Sequence, residues 1–408
     1  MTELVPLRRN RDFVLYQAGQ LLSAFGSNLS RFAYPLLTLA LTGSAEKTGY
    51  VAAIEILPIV LLNAPAGVAA DRFNRRRLMI GADVLGATVL AVLAVAVLTH
   101  HATYWLILVV AFLDMTAAVF FATAASGAIK AVVPQPQMAD ASSTSMARGS
   151  IVRLAAPPAG GALFKLSSGL PFVVDAVSYL FSTVSVLLMR TPFQEEREPG
   201  ARTPFREGAK YFWSIPFLRT TIGMVAASNI VAAGAPIALI ILANRQGFSS
   251  LAIGLFVALQ SSTLLLGSIL SPLLRRTFPM RGILLSEFWM ALAYGGFIVY
   301  PNVYVLAGVT ALHFFTFPNT DSAVAAYSYA LIPDRLLGRT MAASNTLRAA
   351  SAPLGPLLAG LLLTHSSPRI CILVLAAPVV VAAALGTLSP ALRDLPSLDS
   401  AVSPAEAG

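Results

Sequence analysis

The chain has 408 residues, 56% of them hydrophobic and only 12% charged, with a formal net charge of +9 and a single cysteine, Cys371. Soluble domains carry roughly 25% charged residues, so lipid rather than water is the main solvent for this composition. The basic residues punctuate apolar runs instead of gathering on one face, which excludes a nucleic-acid binder. One cysteine and no Cys/His ligand spacing exclude a disulfide framework and a zinc site.

Arg8, Arg9 and Arg11 precede an apolar stretch from 13 to 41. It is too long for the apolar core of a signal peptide and lacks a cleavage site, so it reads as a retained first span. A bilayer core about 30 Å thick needs roughly 20 apolar residues in helical form. By that rule further spans follow at 48–70, 78–98, 102–126, 141–165, 171–189, 217–243, 249–274, 282–300, 303–330, 340–364 and 369–389. With the N-terminus in the cytoplasm, the inner segments hold 20 Lys and Arg residues, and the outer ones hold only Lys47, Lys165, Arg245 and Arg369. The positive-inside rule then places both termini in the cytoplasm. A polar stretch containing Glu195, Glu196, Arg197, Glu198, Pro199 and Gly200 marks a linker. The expected organisation is a six-helix half at 1–189, a cytoplasmic linker at 190–216, a second half at 217–389 and a cytoplasmic tail at 390–408.

The halves echo each other. Pro134, Pro157 and Gly161 match Pro333, Pro356 and Gly360, the second proline lying 23 residues after the first and the glycine 4 further on in both copies. Gly67, Arg75 and Arg76 stand opposite Gly267, Arg275 and Arg276 at an offset of 200. Duplication with unchanged orientation implies parallel halves related by an axis along the membrane normal, with a substrate site near the midplane. The expected fold class is an all-α integral membrane protein with twelve transmembrane helices in two parallel-repeat six-helix halves.

The loop after the second span reads Gly67-Val-Ala-Ala-Asp71-Arg72-Phe-Asn-Arg75-Arg76-Arg77. It resembles the signature loop of the major facilitator superfamily, Gly-x-x-x-Asp-Arg-x-x-Arg-Arg, in pattern and in place. The resemblance implies a gating latch built on Gly67, Asp71, Arg72, Arg75 and Arg76. On physical grounds, Gly67 permits close helix approach, and Asp71 pairs with a cation or caps a helix at the inner face. Asp83 and Glu287 each lie six residues after the last arginine of a loop, Arg77 and Arg281, and are expected near the inner surface as latch partners.

The fifth span reads Ala155-Ala156-Pro157-Pro158-Ala159-Gly160-Gly161. This resembles the family's antiporter motif, Gly-Pro-x-x-Gly-Gly, with Ala156 in place of the first glycine, and Gly355-Pro356-Leu357-Leu358-Ala359-Gly360 echoes it. The motif is linked to exporters; the same residues also read as a kink and a packing surface. Around Asp114 and Met115 the fourth-span arginine of many drug–proton antiporters is missing, and the chain overall resembles the enterobactin-exporter and macrolide-exporter branch. The resemblance implies proton-coupled efflux of an amphipathic small molecule (a drug, siderophore or secondary metabolite) by alternating access.

Ionisable groups at bilayer depth are costly and therefore functional candidates. At about 1.5 Å per residue, Arg31 lies roughly 15 Å from the outer end of span 1 and Asp114 roughly 18 Å from that of span 4. In the resembled fold, spans 1, 4, 7 and 10 line the central cavity, so Arg31 is expected to face Asp114, with Glu55 as a rival partner. Asp321 and Arg348 form a second candidate pair near the inner face. A buried carboxylate beside an arginine is poised between two opposing influences. Asp114 is therefore expected to carry the coupling proton while Arg31 sets its affinity; a permanent structural pair is the alternative. Asp175, at the start of span 6, is expected near the outer surface in a solvated or capping role. Arg148 and Arg153 enter span 5 from the inside and suit an anionic substrate group, with snorkelling an alternative for Arg148. Asn28, Asn229, His313 and Asn319 are candidate substrate contacts, His313 equally a packing residue. Phe120, Phe121, Phe314, Phe315 and Phe317 offer an apolar wall or face lipid.

Two rival functions follow. An importer of a polar solute would call for more cavity Asn, Gln and Trp. A membrane enzyme would need a catalytic cluster, and there is no His-x-x-x-x-Asp, Asp-x-Asp or Gly-rich phosphate loop. The expected partners are a small-molecule substrate and the lipid bilayer, with no nucleic acid, metal or cofactor, a proton gradient as driving force, and a monomer as the working unit. The Ala- and Arg-rich composition suggests a bacterial source and hence an inner-membrane location.

Overall fold

The computed structural model describes residues 6–193 and 205–393; the linker residues 195–200 and the tail beyond 393 lie outside the described residues. The described elements are helical throughout: α1 (Arg11–Thr42), α2 (Ala45–Arg72), α3 (Arg75–Leu98), α4 (Tyr104–Val132), α5 (Met138–Leu166), α6 (Leu170–Leu188), α7 (Phe205–Ser214), α8 (Pro216–Arg245), α9 (Ser250–Thr277), α10 (Met280–Met290), α11 (Tyr294–Val299), α12 (Val303–Leu331), α13 (Asp334–Ala350), α14 (Leu354–His365) and α15 (Pro368–Leu388). The connections are short and start on side-chain caps. Asn10, Ser44, Asn74, Thr103, Asn302 and Ser367 each accept a bond from a backbone N–H in the first turn of the following helix. Gly43 closes α1 with φ 63°, the left-handed conformation that glycine tolerates best.

Nine stretches among the described residues are long and apolar enough to cross a membrane: α2, α3, α4, α6, α8, α9, Met280–Val299, Ala343–His365 and α15. Helices α1, α5 and α12 are as long, at 32, 29 and 29 residues, but more polar. In α1 the polar side chains are not scattered. Gln17, Gln20, Ser27, Arg31, Tyr34 and Thr38 recur at helical spacing and form one stripe.

Three sequence expectations change. Part of the expected linker is the helix α7, which packs on α13 and buries Phe212. Where α5 is continuous, its echo is broken into α13 and α14 around Ser351–Pro353, because proline disfavours helical geometry in the residue before it. The second echo is out of register. Helices α1, α2 and α3 begin at 11, 45 and 75, and α8, α9 and α10 begin 205 residues later, at 216, 250 and 280. Helices α4 and α12 begin only 199 apart, at 104 and 303. Six residues are lost between: α3 has 24 residues where Met280–Val299 has 20, and the following loop shrinks from 99–103 to 300–302. Arg75 and Arg76 consequently open α3, whereas Arg275 and Arg276 close α9.

The chain forms two compact units. One comprises the described residues up to 193 with Asn244–Ala258; the other takes the remaining described residues. In the first unit α1 packs on α6, α5, α2 and α4, and α3 packs on α4 and α6. One core gathers Tyr34, Leu90, Leu93, Ile107 and Phe172; another gathers Phe13, Met79, Phe121, Ala125 and Met189. Phe121 thus belongs to the core and not to an exposed wall. At one end Asp12 accepts bonds from the backbone N–H groups of Arg190 and Thr191 at 3.0 and 2.7 Å and from the Thr191 hydroxyl at 2.6 Å, tying the start of α1 to the end of α6. In the second unit α10 packs on α12 and α15, and α14 packs on α15.

Candidate functional site

The polar stripe of α1 meets a matching stripe on α6, Asp175, Ser178, Tyr179 and Ser182, at i, i+3, i+4 and i+7. Asp114 projects from α4 into this seam and is 5% exposed. Tyr179 donates its hydroxyl to Asp114 Oδ1 at 2.9 Å, and Tyr34 donates to Oδ2 at 3.2 Å. The tyrosines reach it through tight packing. A Cβ added to Gly86 of α3 would stand 2.8 Å from the Tyr179 ring, and Tyr34 stacks at 5.2 Å on Phe172.

Arg31 does not grip Asp114. Its Nε lies 3.7 Å from Glu55 Oε1 and its Nη2 lies 3.6 Å from Met115 Sδ. Matched depth brought Arg31 and Asp114 to one level, but azimuth decided the pairing: Tyr34, one turn along α1, fills the side facing Asp114. Asp175 also departs from expectation. It is 0% exposed, with Ser178 and Ser27 hydroxyls donating to Oδ1 at 3.1 and 3.3 Å. The cause is Gly26 of α1, where a Cβ would stand 2.7 Å from Asp175 Oδ1; without one, α1 closes over the acid.

In the second unit Arg348 binds Asp321 directly, with side-chain exposures of 19% and 46%. The Arg348 carbonyl accepts from Asn229 at 2.8 Å, so Asn229 positions this pair. Glu287 accepts from the Ser228 hydroxyl, which lies 3.4 Å from His313 Nε2. Glu287 and Asp83 are both buried and sit away from the loop expected to hold them. They lie about two turns into α10 and α3, at roughly 12 Å, facing packed neighbours. Glu287 and Tyr294 flank a 3-10 segment, Ala291–Ala293, an interruption of the kind that accompanies hinges. His313 is buried with Nδ1 unpartnered, and Asn319 donates to the Phe315 carbonyl at 3.2 Å with Oδ1 unpartnered. Asn28 is turned to its own helix, donating to the Ala24 carbonyl at 2.7 Å. Arg148 donates to Gln17 and lies 6.0 Å from the Tyr16 ring centre; Arg153 is exposed.

The signature loop folds onto its own unit. Arg75 donates to the Phe193 carbonyl at 3.2 Å, and Arg76 donates to the Met189 carbonyl with its guanidinium 5.0 Å from the Phe193 ring. Both arginines thereby satisfy carbonyls just past the end of α6 and complement its dipole. Arg75 also stands 3.9 Å from Asp71, while Asp71 and Arg72 are exposed. Gly67 has no neighbour within 4 Å of an added Cβ, so it does not serve close packing. The glycines of the fifth span do. A Cβ on Gly161 would stand 2.8 Å from the Ser250 carbonyl carbon, Ser250 donates to the Gly161 carbonyl at 2.7 Å, and Gly160 rests against Phe32 and Leu29 of α1. Their echo behaves alike: Pro356 and Gly360 are buried, and Gly355 abuts Gly234 of α8.

Sequence reasoning missed Tyr34, Tyr179, Ser27 and Ser228 as partners of the acids. For the three of the first unit, Tyr34, Tyr179 and Ser27, the signal existed in the i, i+3 and i+4 spacing of polar residues along α1 and α6, which depth counting alone ignores.

Residues 18–352 match the sequence profile described as Major Facilitator Superfamily. Among characterised relatives, the multidrug efflux pump Tap of Mycobacterium tuberculosis is 25% identical over 397 residues, covering 92% of each chain. Macrolide efflux protein A of Streptococcus pyogenes is 24% identical over 181 residues, 44% of this chain and 45% of that one. Among solved structures, the nucleoside transporter NupG superposes with a TM-score of 0.70 at 12% identity, over 96% of this chain and 100% of that one. A bacterial homolog of the human lysosomal transporter Spinster gives a TM-score of 0.70 at 16% identity, over 96% and 98%.

Proposed function

The chain belongs to the Major Facilitator Superfamily, and on that premise we propose that it exports an amphipathic small molecule in exchange for protons, using twelve spans in two parallel six-helix halves with both termini in the cytoplasm of a bacterium. It is a multi-pass membrane transporter and not an enzyme. Export is supported by relatives that are themselves efflux proteins across nearly the whole chain. The recurring helix starts support the duplicated architecture.

The observation that carries proton coupling is the environment of Asp114. It is buried in a helix of membrane-crossing length, and its partners are two phenolic hydroxyls. A phenol donates to a carboxylate and accepts from a carboxylic acid, so Asp114 keeps satisfied partners in either protonation state. Arg31 stands close enough to act on it electrostatically without locking it in an ion pair. Everted vesicles with an imposed pH gradient test the reading. Wild-type protein is expected to accumulate a fluorescent amphipathic dye, and Asp114→Asn is expected to abolish accumulation while the purified variant still binds dye. Unchanged transport by the variant removes Asp114 from coupling; gradient-driven uptake by right-side-out vesicles instead reverses the direction and makes the protein an importer.

A further inference from the structure

We infer that Asp175 is a second proton carrier, joined to Asp114 by a relay through Ser27 and Tyr179. The inference rests on the coupling role of Asp114 and adds the route by which its proton arrives. The four side chains form one continuous series from α6 through α1 to α4. Ser27 Oγ lies 3.3 Å from Asp175 Oδ1 and 3.4 Å from Tyr179 Oη, and Tyr179 Oη lies 2.9 Å from Asp114 Oδ1. The two Ser27 distances are long for O–H···O bonds, which centre near about 2.8 Å, so a contraction of roughly half an ångström at one serine closes the series. Ser27 is therefore its switchable link.

The site is built for a ligand as small as a proton. Asp175 is fully buried with Oδ2 unpartnered, and the buried Ser30 hydroxyl facing it is also unpartnered. Two notches make room: Gly26 for the Asp175 carboxyl and Gly86 for the Tyr179 ring. The charged and titratable groups around Asp175 are Asp114 on α4, Glu55 on α2, Arg31 and Tyr34 on α1 and Tyr179 on its own helix. On α3, Asp83 stands beside Ser182, two turns further along α6. Three carboxyls thus share one guanidinium. Ionising all of them would leave uncompensated charge at bilayer depth, so protons must reside in the group.

Position gives the relay a direction. Helices α4 and α6 begin on the same face, where Gly169 abuts Leu98 at the end of α3. Asp175 is about 8 Å from the start of α6 and Asp114 about 15 Å from the start of α4, so a proton from that face meets Asp175 first. The transfer balances. The Asp175 O–H breaks and its proton passes to Ser27 Oγ, the Ser27 proton passes to Tyr179 Oη, and the Tyr179 proton passes to Asp114 Oδ1. Asp175 ends as the carboxylate and Asp114 as the acid, with no redox change.

Infrared difference spectroscopy of the purified full-length chain during pH titration, with protons as the only probe, tests this. Among the buried carboxyl bands of the wild type, one is expected to vanish in Asp114→Asn and another in Asp175→Asn; Asp175→Asn should also shift the titration of the Asp114 band, and Asp175→Glu should restore the band it lost. Ser27→Ala keeps both acids, and after a pH jump it is expected to slow proton arrival at Asp114 by about a hundredfold, at the low end of losing a positioned proton donor. An Asp114 band that titrates identically in Asp175→Asn overturns the inference, as does an unaltered rate in Ser27→Ala, which also decides the matter should Asp175→Asn fail to fold. If Asp114→Asn stops efflux while these variants behave as wild type, the relay fails and the exporter stands; if the bands are coupled but Asp114→Asn still pumps, the coupling assignment fails instead.

Discussion

In the first unit Asp114 rests between the hydroxyls of Tyr34 and Tyr179, whereas in the second Asp321 is bound outright by Arg348. The first carboxyl is sealed from water; the second is 46% exposed. A neutral phenol lets a carboxyl gain or lose a proton without orphaning a partner. A guanidinium favours the carboxylate and leaves an unmatched cation if that charge is removed. Similar residue types on similar helices therefore serve exchange in one unit and fixation in the other. The sharpest way to break this comparison is to neutralise both acids. Asp114→Asn is expected to lower gradient-driven efflux by about a hundredfold or more, within the range seen for loss of a proton-transfer group. Asp321→Asn should cost no more than about 1 kcal/mol of stability, because solvent screens a pair this exposed. Equal transport losses in the two variants, measured on vesicles of matched protein content, would erase the distinction.

Helix contact gives a second contrast, between Gly355 in the second unit and Gly67 of the signature loop in the first. Gly355 on α14 lies against Gly234 on α8, where an added Cβ would stand 2.7 Å from the Gly234 nitrogen. Backbone atoms cannot swing aside as a flexible side chain can. Gly355→Ala is therefore expected to destabilise the second unit by about 1–3 kcal/mol, the usual cost of overpacking, read as a lowered melting midpoint in detergent. An unaltered midpoint would show that this contact has slack.

Much of the fold was legible because lipid imposes a length and a polarity that composition reports directly. Spans 2, 3, 4, 6 and 12 coincide closely with α2, α3, α4, α6 and α15. The signature loop and the fifth-span prolines were also legible, since each is a contiguous string. What depth counting missed was azimuth. It placed Arg31 level with Asp114 but did not reveal that Tyr34, one turn further along α1, would be the residue bonded to Asp114, and it put Asp83 and Glu287 near a loop when two helical turns carry them inside the bundle. Asp175 was misread for a related reason: proximity to a helix start suggests solvent, but the missing side chain of Gly26, 149 residues earlier, lets the neighbouring helix close over it.

Gly67 provides the smallest effect and the cleanest contrast with Gly355. It opens the signature string, and from sequence its value was close helix approach, yet an added Cβ there would meet nothing within 4 Å. It lies inside α2, where glycine costs a helix roughly 1 kcal/mol relative to alanine because it gives up more backbone freedom on folding. Gly67→Ala should thus leave the first unit as stable as before or raise its stability by up to about 1 kcal/mol. Melting of the detergent-purified variant checks the sign. If the packing account is right there, any loss of dye efflux in Gly67→Ala must come from a state in which this face of α2 is covered, and unimpaired melting with impaired transport would locate the need for glycine in motion. A lowered melting midpoint would return Gly67 to the class of Gly355 and remove the contrast.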